Sequence, residues 1–123
     1  MATDKIYIVM PAYNEEANIA DVIGQWYPLC EQLAAEGHGV KLVIANDGSK
    51  DKTNAIMQQL QSQYTLLEPL DKPNSGHGAT VLYLYRYAMS HGADYIFQTD
   101  SDGQTLPEEI GRASCRERVS LAV

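Results

Sequence analysis

Apolar residues gather into short runs along this chain, and polar, glycine-bearing stretches separate them. The first run, KIYIVM at 5–10, is compact and β-branched, which predicts a buried strand stopped by Pro11. The period then changes. Ile19, Val22, Ile23, Trp26, Leu29, Cys30 and Leu33 recur at spacings of three and four, the pattern of an amphipathic helix. Pro28 falls inside that pattern and should kink or split the helix, because proline lacks an N–H and crowds the preceding turn. Gly37 is the expected stop. VKLVIAND at 40–47 predicts a second strand. GSKDKT follows, with Ser49 or Asp51 placed to cap a helix marked by Ile56, Met57 and Leu60. YTLLEPL at 64–70 is a weaker strand bounded by Pro69 and Pro73. NSGHGATVLYLYRYAMSHG predicts a glycine turn and a third helix ending near Gly92, with DYIFQ at 94–98 as the fourth strand. Pro107, Glu108 and Glu109 suit the first turn of another helix.

The order is therefore β-α-β-α-β-α-β. Such alternation favours a mainly parallel sheet with helices on both faces, an α/β architecture. Ligands in such sheets bind beyond the carboxyl ends of the strands. Four loops are thereby singled out: PAYNEE, NDGSKDKT, DKPNSGHG and TDSDGQTLPEE.

Composition narrows the classes. The chain has 123 residues, 45% of them hydrophobic and 20% charged, which fits one domain with a real core. The net charge of −7 argues against a nucleic-acid partner, which needs a basic face. It is compatible with a phosphate-bearing ligand whose charge a metal ion offsets. Cys30 and Cys115 have neither zinc-site nor disulfide-framework spacing and are read as reduced thiols of a cytosolic protein. No stretch reaches the roughly 20 apolar residues of a membrane span, and MATDKIYIVM is too short for a signal peptide.

The loops carry the candidate chemistry. Asp100 and Asp102 end the fourth apolar run one residue apart. Gly103 permits the turn that lets both carboxylates face one ion, and their hard oxygens suit Mg²⁺ or Mn²⁺. Taken alone, the pair reads more readily as a solvated acidic turn than as a metal site. DSDGQT also resembles the phosphatase motif of haloacid-dehalogenase type, with Asp100 as nucleophile, but that motif follows a first strand. An EF-hand reading would place Gln98 where an aspartate is required. Gly76 and Gly78 bracket His77 before a helix, where backbone amides can approach phosphate or merely close a turn. His38 and His91 flank helix-ending glycines and read as C-terminal cap residues. Tyr13 can stack on a base and Glu15 can accept from ribose hydroxyls; the plainer alternative is that Asn14 caps the following helix. Asp47 reads a base or caps the next helix. Tyr83, Tyr85 and Tyr87 spread around the third helix.

Taken in order, IVMPAYNEEANI, VIANDGSKDKT, NSGHGAT and DYIFQTDSDGQTLPEE resemble the family 2 glycosyltransferases, nearest the dolichol- or polyprenyl-phosphate sugar transferase branch. The resemblance covers about residues 5–109. It implies the GT-A fold, a Rossmann-like three-layer sandwich. It implies that Pro11, Ala12, Tyr13 and Glu15 line a nucleoside pocket and that Asp47 contacts the base or ribose. Asn74, Gly76 and Gly78 would shape the donor site. Asp100, which also faces the nucleotide, would hold Mn²⁺ or Mg²⁺ with Asp102 and Gln104. The implied partners are a nucleoside-diphosphate sugar donor and a lipid-phosphate acceptor, with a cytoplasmic location at the inner face of a membrane. The implied chemistry is inverting sugar transfer, with the alternative of a non-catalytic nucleotide-binding module. Asn46 departs from the family's usual Asp. The family's acceptor half and catalytic carboxylate lie beyond these motifs, so no general base is assigned.

The last segment differs in composition. Arg86 is the one arginine up to Gly111, and RASCRERV then adds Arg112, Arg116 and Arg118. IGRASCRERV resembles a translated cloning remnant. The expected division is a nucleotide-sugar-binding part over 1–110 and a non-native tail over 111–123.

Overall fold

The computed structural model describes residues 4–99. They form β1 (Lys5–Ala12), α1 (Ile19–Ala35), β2 (Gly39–Asp47), α2 (Thr53–Leu60), β3 (Leu67–Lys72), α3 (His77–Ser90) and β4 (Tyr95–Gln98). The expected helix at Pro107 and the arginine-rich tail lie outside the described residues.

All pairings are parallel, in the order β3-β2-β1-β4. The two central strands, β1 and β2, are buried along almost their whole length, which is why they read as continuous apolar runs instead of alternating ones. Alternation instead sorts their side chains between two cores. Ile6, Ile8, Met10, Val40, Leu42 and Ile44 meet α1 and α2 through Ile19, Ile23, Trp26, Cys30 and Met57. Tyr7, Val9, Val43 and Ala45 meet Leu84 and Ala88 of α3 on the opposite face. Burial of each such large apolar side chain contributes about 1.5–3 kcal/mol.

Three prolines behave differently from the sequence-based expectation. Pro11 does not stop β1, which runs on in register with β2 to Ala12. Lys5 O and Val9 O accept from Asp94 and Thr99 on the β4 side, so odd-numbered residues of β1 bond in that direction. Pro11 therefore lacks its N–H on a side where the β4 ladder has already ended, and no bond to β2 is lost. Pro69 lies within β3 instead of bounding it, because β3 is the edge strand. Leu66 O accepts from Leu42, so even-numbered residues face β2 and Pro69 faces away. Pro28 does not split α1. It leaves the Gly24 carbonyl without an intrahelical donor, but Gly24 and Pro28 both sit on the exposed face, where water can serve. The helix ends where Gly37 predicts. Gly37 N–H donates to Ala34 O and His38 N–H to Leu33 O, closing the last turn.

Among the described residues no helix is long and apolar enough to cross a membrane.

Candidate functional site

Parallel strands place all four carboxyl ends along one edge of the sheet. The chain winds from β1 outward through β2 to β3, then returns to β4 on the other side of β1. That reversal falls beside β1, the position where such sheets usually bind ligands. The loops after β1, β2 and β3 that sequence singled out lie at that edge, and the fourth lies outside the described residues from Asp100 on.

The loops after β1 and β2 are clasped together. Asn14 N–H donates to Ser49 Oγ at 2.9 Å, and Lys50 N–H returns a bond to Asn14 Oδ1 at 2.9 Å. Glu15 N–H donates to Thr53 Oγ1 at 2.8 Å, Glu16 N–H to Asp51 Oδ2 at 3.2 Å, and Lys52 N–H to Glu16 Oε1 at 3.0 Å. Asn14 thus cross-links loops and does not cap α1. It takes φ 53°, left-handed, the conformation that asparagine tolerates better than most side chains. Of the two expected α2 caps, Asp51 accepts Thr53 N–H at 2.9 Å and also the Thr53 hydroxyl, whereas Ser49 serves Asn14. Burial raises the Asp51 pKa, but the Thr53 hydroxyl and the Thr53 and Glu16 amides outweigh it and hold the carboxyl below its ordinary value. The clasp leaves Tyr13 43% exposed at the rim, above buried Pro11 and Ala12. Glu15 is half-buried and accepts from Asn18 Nδ2 at 3.3 Å.

Asp47 organises the next loop. It is 4% exposed, and both of its carboxylate oxygens are engaged. Oδ1 accepts Lys72 Nζ at 2.9 Å and Ser75 N–H at 2.8 Å; Oδ2 accepts Gly76 N–H at 3.1 Å. Its carbonyl accepts Asn74 Nδ2 at 2.9 Å. Burial pushes the carboxyl pKa up, but the Lys72 and Ser75 hydrogen bonds, the Thr80 hydroxyl and the lysine charge together hold it low. The amides that could have met a free phosphate are therefore already given to Asp47. The turn's contribution is shape: a Cβ on Gly76 or Gly78 would meet nothing within 4 Å, so both glycines border open space at the start of α3.

Gly48 supports this turn from beneath. It has φ 64°, and a Cβ there would stand 2.5 Å from the Asn74 backbone nitrogen. Glycine at 48 is thus required by conformation and by close approach together. The departure at Asn46 also has a local reason. Its Nδ2 donates to Asp71 Oδ1 at 2.8 Å while its Oδ1 accepts Ser49 N–H at 3.3 Å. An ionised aspartate at 46 has no hydrogen to give Asp71.

Sequence reasoning missed Gly48, Thr53 and Lys72. Gly48 carried a visible signal, a glycine directly after a strand. Thr53 and Lys72 carried none, since their roles depend on which loop lies beside them. His91 closes α3 as expected, its N–H donating to Tyr87 O at 3.2 Å, and His77 opens α3 in an exposed position.

Thr99 N–H donates to Val9 O at 2.9 Å, holding the end of β4 against β1. The acidic segment begins with the next residue. Asp100, Asp102 and Gln104 lie outside the described residues. Among the described residues there is no group of three or more His, Cys, Asp or Glu side chains that could hold a metal. The carboxylate and amide oxygens of those three residues are the donor set a hard divalent cation takes.

Comparison with known proteins agrees with this geometry. The model of glycosyl transferase family 2 matches residues 7–113. The chain is 29% identical to a UDP-N-acetylglucosamine–dolichyl-phosphate N-acetylglucosaminyltransferase of Methanococcus voltae, over 91% of this chain and 47% of that protein. It is 26% identical to a polyprenol monophosphomannose synthase of Mycolicibacterium smegmatis, over 89% of this chain and 40% of that protein. Among solved structures, a mannosyltransferase of Pyrobaculum calidifontis in complex with GDP-Man and Mn²⁺ superposes with a TM-score of 0.66 at 17% identity, covering 82% of this chain and 28% of that one. The chain spans less than half the length of these curated relatives, and its fold is that of the GT-A glycosyltransferases. Motifs, strand order and the family match over residues 7–113 converge on one conclusion: this chain belongs to glycosyl transferase family 2.

Proposed function

We propose that this chain is the donor-nucleotide part of a metal-dependent, inverting glycosyltransferase that moves a sugar from a nucleoside diphosphate to a polyprenyl-type lipid phosphate. The observation that supports the reading is the meeting of the loops after β1, β2 and β3 at the carboxyl edge of the sheet, in a chain whose relatives bear the names of dolichyl- and polyprenyl-phosphate sugar transferases.

In this reading Tyr13 stacks on the base over the floor made by Pro11 and Ala12, and Glu15 accepts from the ribose. Asp47, which sequence reasoning set against the base or ribose, holds the turn of Asn74, Gly76 and Gly78 that shapes the donor pocket. Asp100, Asp102 and Gln104 hold Mn²⁺ or Mg²⁺, which when bound offsets the charge developing on the departing diphosphate. A phosphate oxygen of the acceptor attacks the anomeric carbon from the face opposite the diphosphate, so configuration inverts. That oxygen is anionic at neutral pH and needs little base assistance. In this reading the enzyme works in the cytoplasm, at the inner face of the membrane that holds its lipid acceptor. We read residues 1–110 as the nucleotide-sugar-binding part and residues 111–123 as foreign to it, so the 123-residue chain should bind donor nucleotide with little or no transfer.

The test is thermal melting with GDP, UDP and CDP, each with and without Mn²⁺. The expected result is a base-selective, metal-dependent rise in Tm that Asp102→Asn abolishes. A cooperative melt with no response to any nucleotide would sink the reading, and covalent labelling of Asp100 by a phosphate analogue would replace it with a phosphatase.

A further inference from the structure

Among the described residues, two buried side-chain polar atoms have no hydrogen-bond partner, Trp26 Nε1 and Thr99 Oγ1. An unpaired buried polar group is costly, so each needs a physical reason. Trp26 has one in its bulk. It is 0% exposed in the core between α1 and the sheet, and no side chain free of polar atoms fills the volume of an indole. Thr99 has no such reason. It is 3% exposed, and valine has nearly the same shape, suits extended backbone as well and carries no hydroxyl to leave unpaired.

Place in the chain separates the two further. Trp26 lies midway along α1. Thr99 lies at the carboxyl end of β4, where its N–H donates to Val9 O at 2.9 Å and fixes its backbone against β1. Asp100 is the next residue, and Asp102 is three residues on. Neighbouring Cα atoms are about 3.8 Å apart, so both aspartates stay near the fixed end of β4. A carboxylate that holds a hard cation through one oxygen leaves its other oxygen to accept a hydrogen bond. Such outer partners orient the ligands of a metal.

We infer that Thr99 is a positioning residue for the metal site: its hydroxyl gives its hydrogen to a carboxylate oxygen of the Asp100–Asp102 pair when that pair holds Mn²⁺ or Mg²⁺. The inference rests on the reading of those aspartates as metal ligands given above. The hydroxyl is unpaired in the metal-free chain and paired in the loaded one. Removing it therefore has two consequences of opposite sign: it relieves the metal-free fold and weakens metal binding. Removing a hydroxyl with a merely structural partner would instead destabilise the metal-free chain.

The experiment takes two readouts on the full 123-residue chain. Water-proton relaxation gives the Kd for Mn²⁺, alone and with GDP, UDP or CDP, and thermal melting without metal gives stability. Thr99→Val should weaken Mn²⁺ binding by about tenfold or more, the lower end of what losing the outer partner of a metal ligand does. Its metal-free Tm should equal or exceed that of wild type. Thr99→Ser, which keeps the hydroxyl, should keep most of the affinity. Unchanged Mn²⁺ affinity in Thr99→Val, or an equal loss in Thr99→Ser, overturns the inference and leaves the donor site standing. So does a metal-free Thr99→Val chain that melts below wild type or without cooperativity, since the hydroxyl then has a structural role. A wild type that binds no Mn²⁺ under any of these conditions overturns both.

Discussion

A Cβ placed on Gly48 would stand 2.5 Å from the backbone nitrogen of Asn74. The loop after β2 and the loop after β3 are in contact at that point with no room for a methyl group. Gly48→Ala should therefore cost about 2–5 kcal/mol, combining the left-handed penalty of about 1–2 kcal/mol with an overpacking cost of about 1–3 kcal/mol. Urea denaturation gives the number. If the proposed donor site is right, the Mn²⁺-dependent nucleotide shift in Tm should weaken with it, because Asn74 belongs to the turn proposed to border that site. A variant as stable as wild type would show that the turn moves aside freely.

Asn46 donates to Asp71, and an aspartate at 46 would set two carboxylates against each other at that 2.8 Å contact. Asn46→Asp should destabilise the chain by roughly 1–3 kcal/mol at neutral pH. The loss should shrink as pH falls and one of the pair takes up a proton. The exchange variant Asn46→Asp with Asp71→Asn restores a donor and an acceptor with reversed roles, and most of the lost stability should return. Equal stability of Asn46→Asp and wild type at neutral pH would mean that this hydrogen bond is dispensable.

Asp47 and Asp51 are both held below the ordinary carboxylate range, because hydrogen bonds outweigh burial at each. The unfolded chain then takes up protons before the folded one does. Their contribution is fully present above about pH 4, the ordinary carboxylate value, and is lost as pH falls through the lower folded value. Urea unfolding followed below about pH 4 should show wild type losing stability steeply, and Asp47→Asn and Asp51→Asn each with a shallower slope. Identical slopes in all three would refute the assignment.

The left-handed backbone of Asn14 and its bond from Lys50 can be separated. Asn14→Gly keeps the conformation and loses the bond, a cost of about 0.5–1.5 kcal/mol. Asn14→Ala loses the bond and adds a left-handed penalty of about 1–2 kcal/mol. Alanine should therefore be the worse variant, as read by Tm. The opposite order would mean that chain entropy of the unfolded glycine variant outweighs backbone strain.

Much of the architecture was legible because apolar periodicity reports burial directly. The runs at β1 and β2 have no alternation since both sheet faces are covered, and Ile19, Ile23, Trp26 and Cys30 mark the face of α1 that is buried. The prolines were misread because the effect of a missing N–H depends on its direction. Pro11 and Pro69 both point away from β2, and nothing local to either residue says so. The site was legible as loops after strands, yet its internal bonding was not. Asn14 and Ser49, or Asp47 and Ser75, lie far apart in the chain and meet only when parallel strands bring their carboxyl ends to one edge.

Sequence alone therefore determined the element order, the parallel α/β class, the family and the residue types at the carboxyl edge, because local periodicity and motif order encode these. Tertiary structure alone decided the strand order β3-β2-β1-β4, the clasp between the first two loops, and the pairing of Asp47 with Lys72. Each of these is a long-range contact. A side chain's partner, and with it the charge of its surroundings, is set by which strand ends lie side by side and not by its neighbours in the chain.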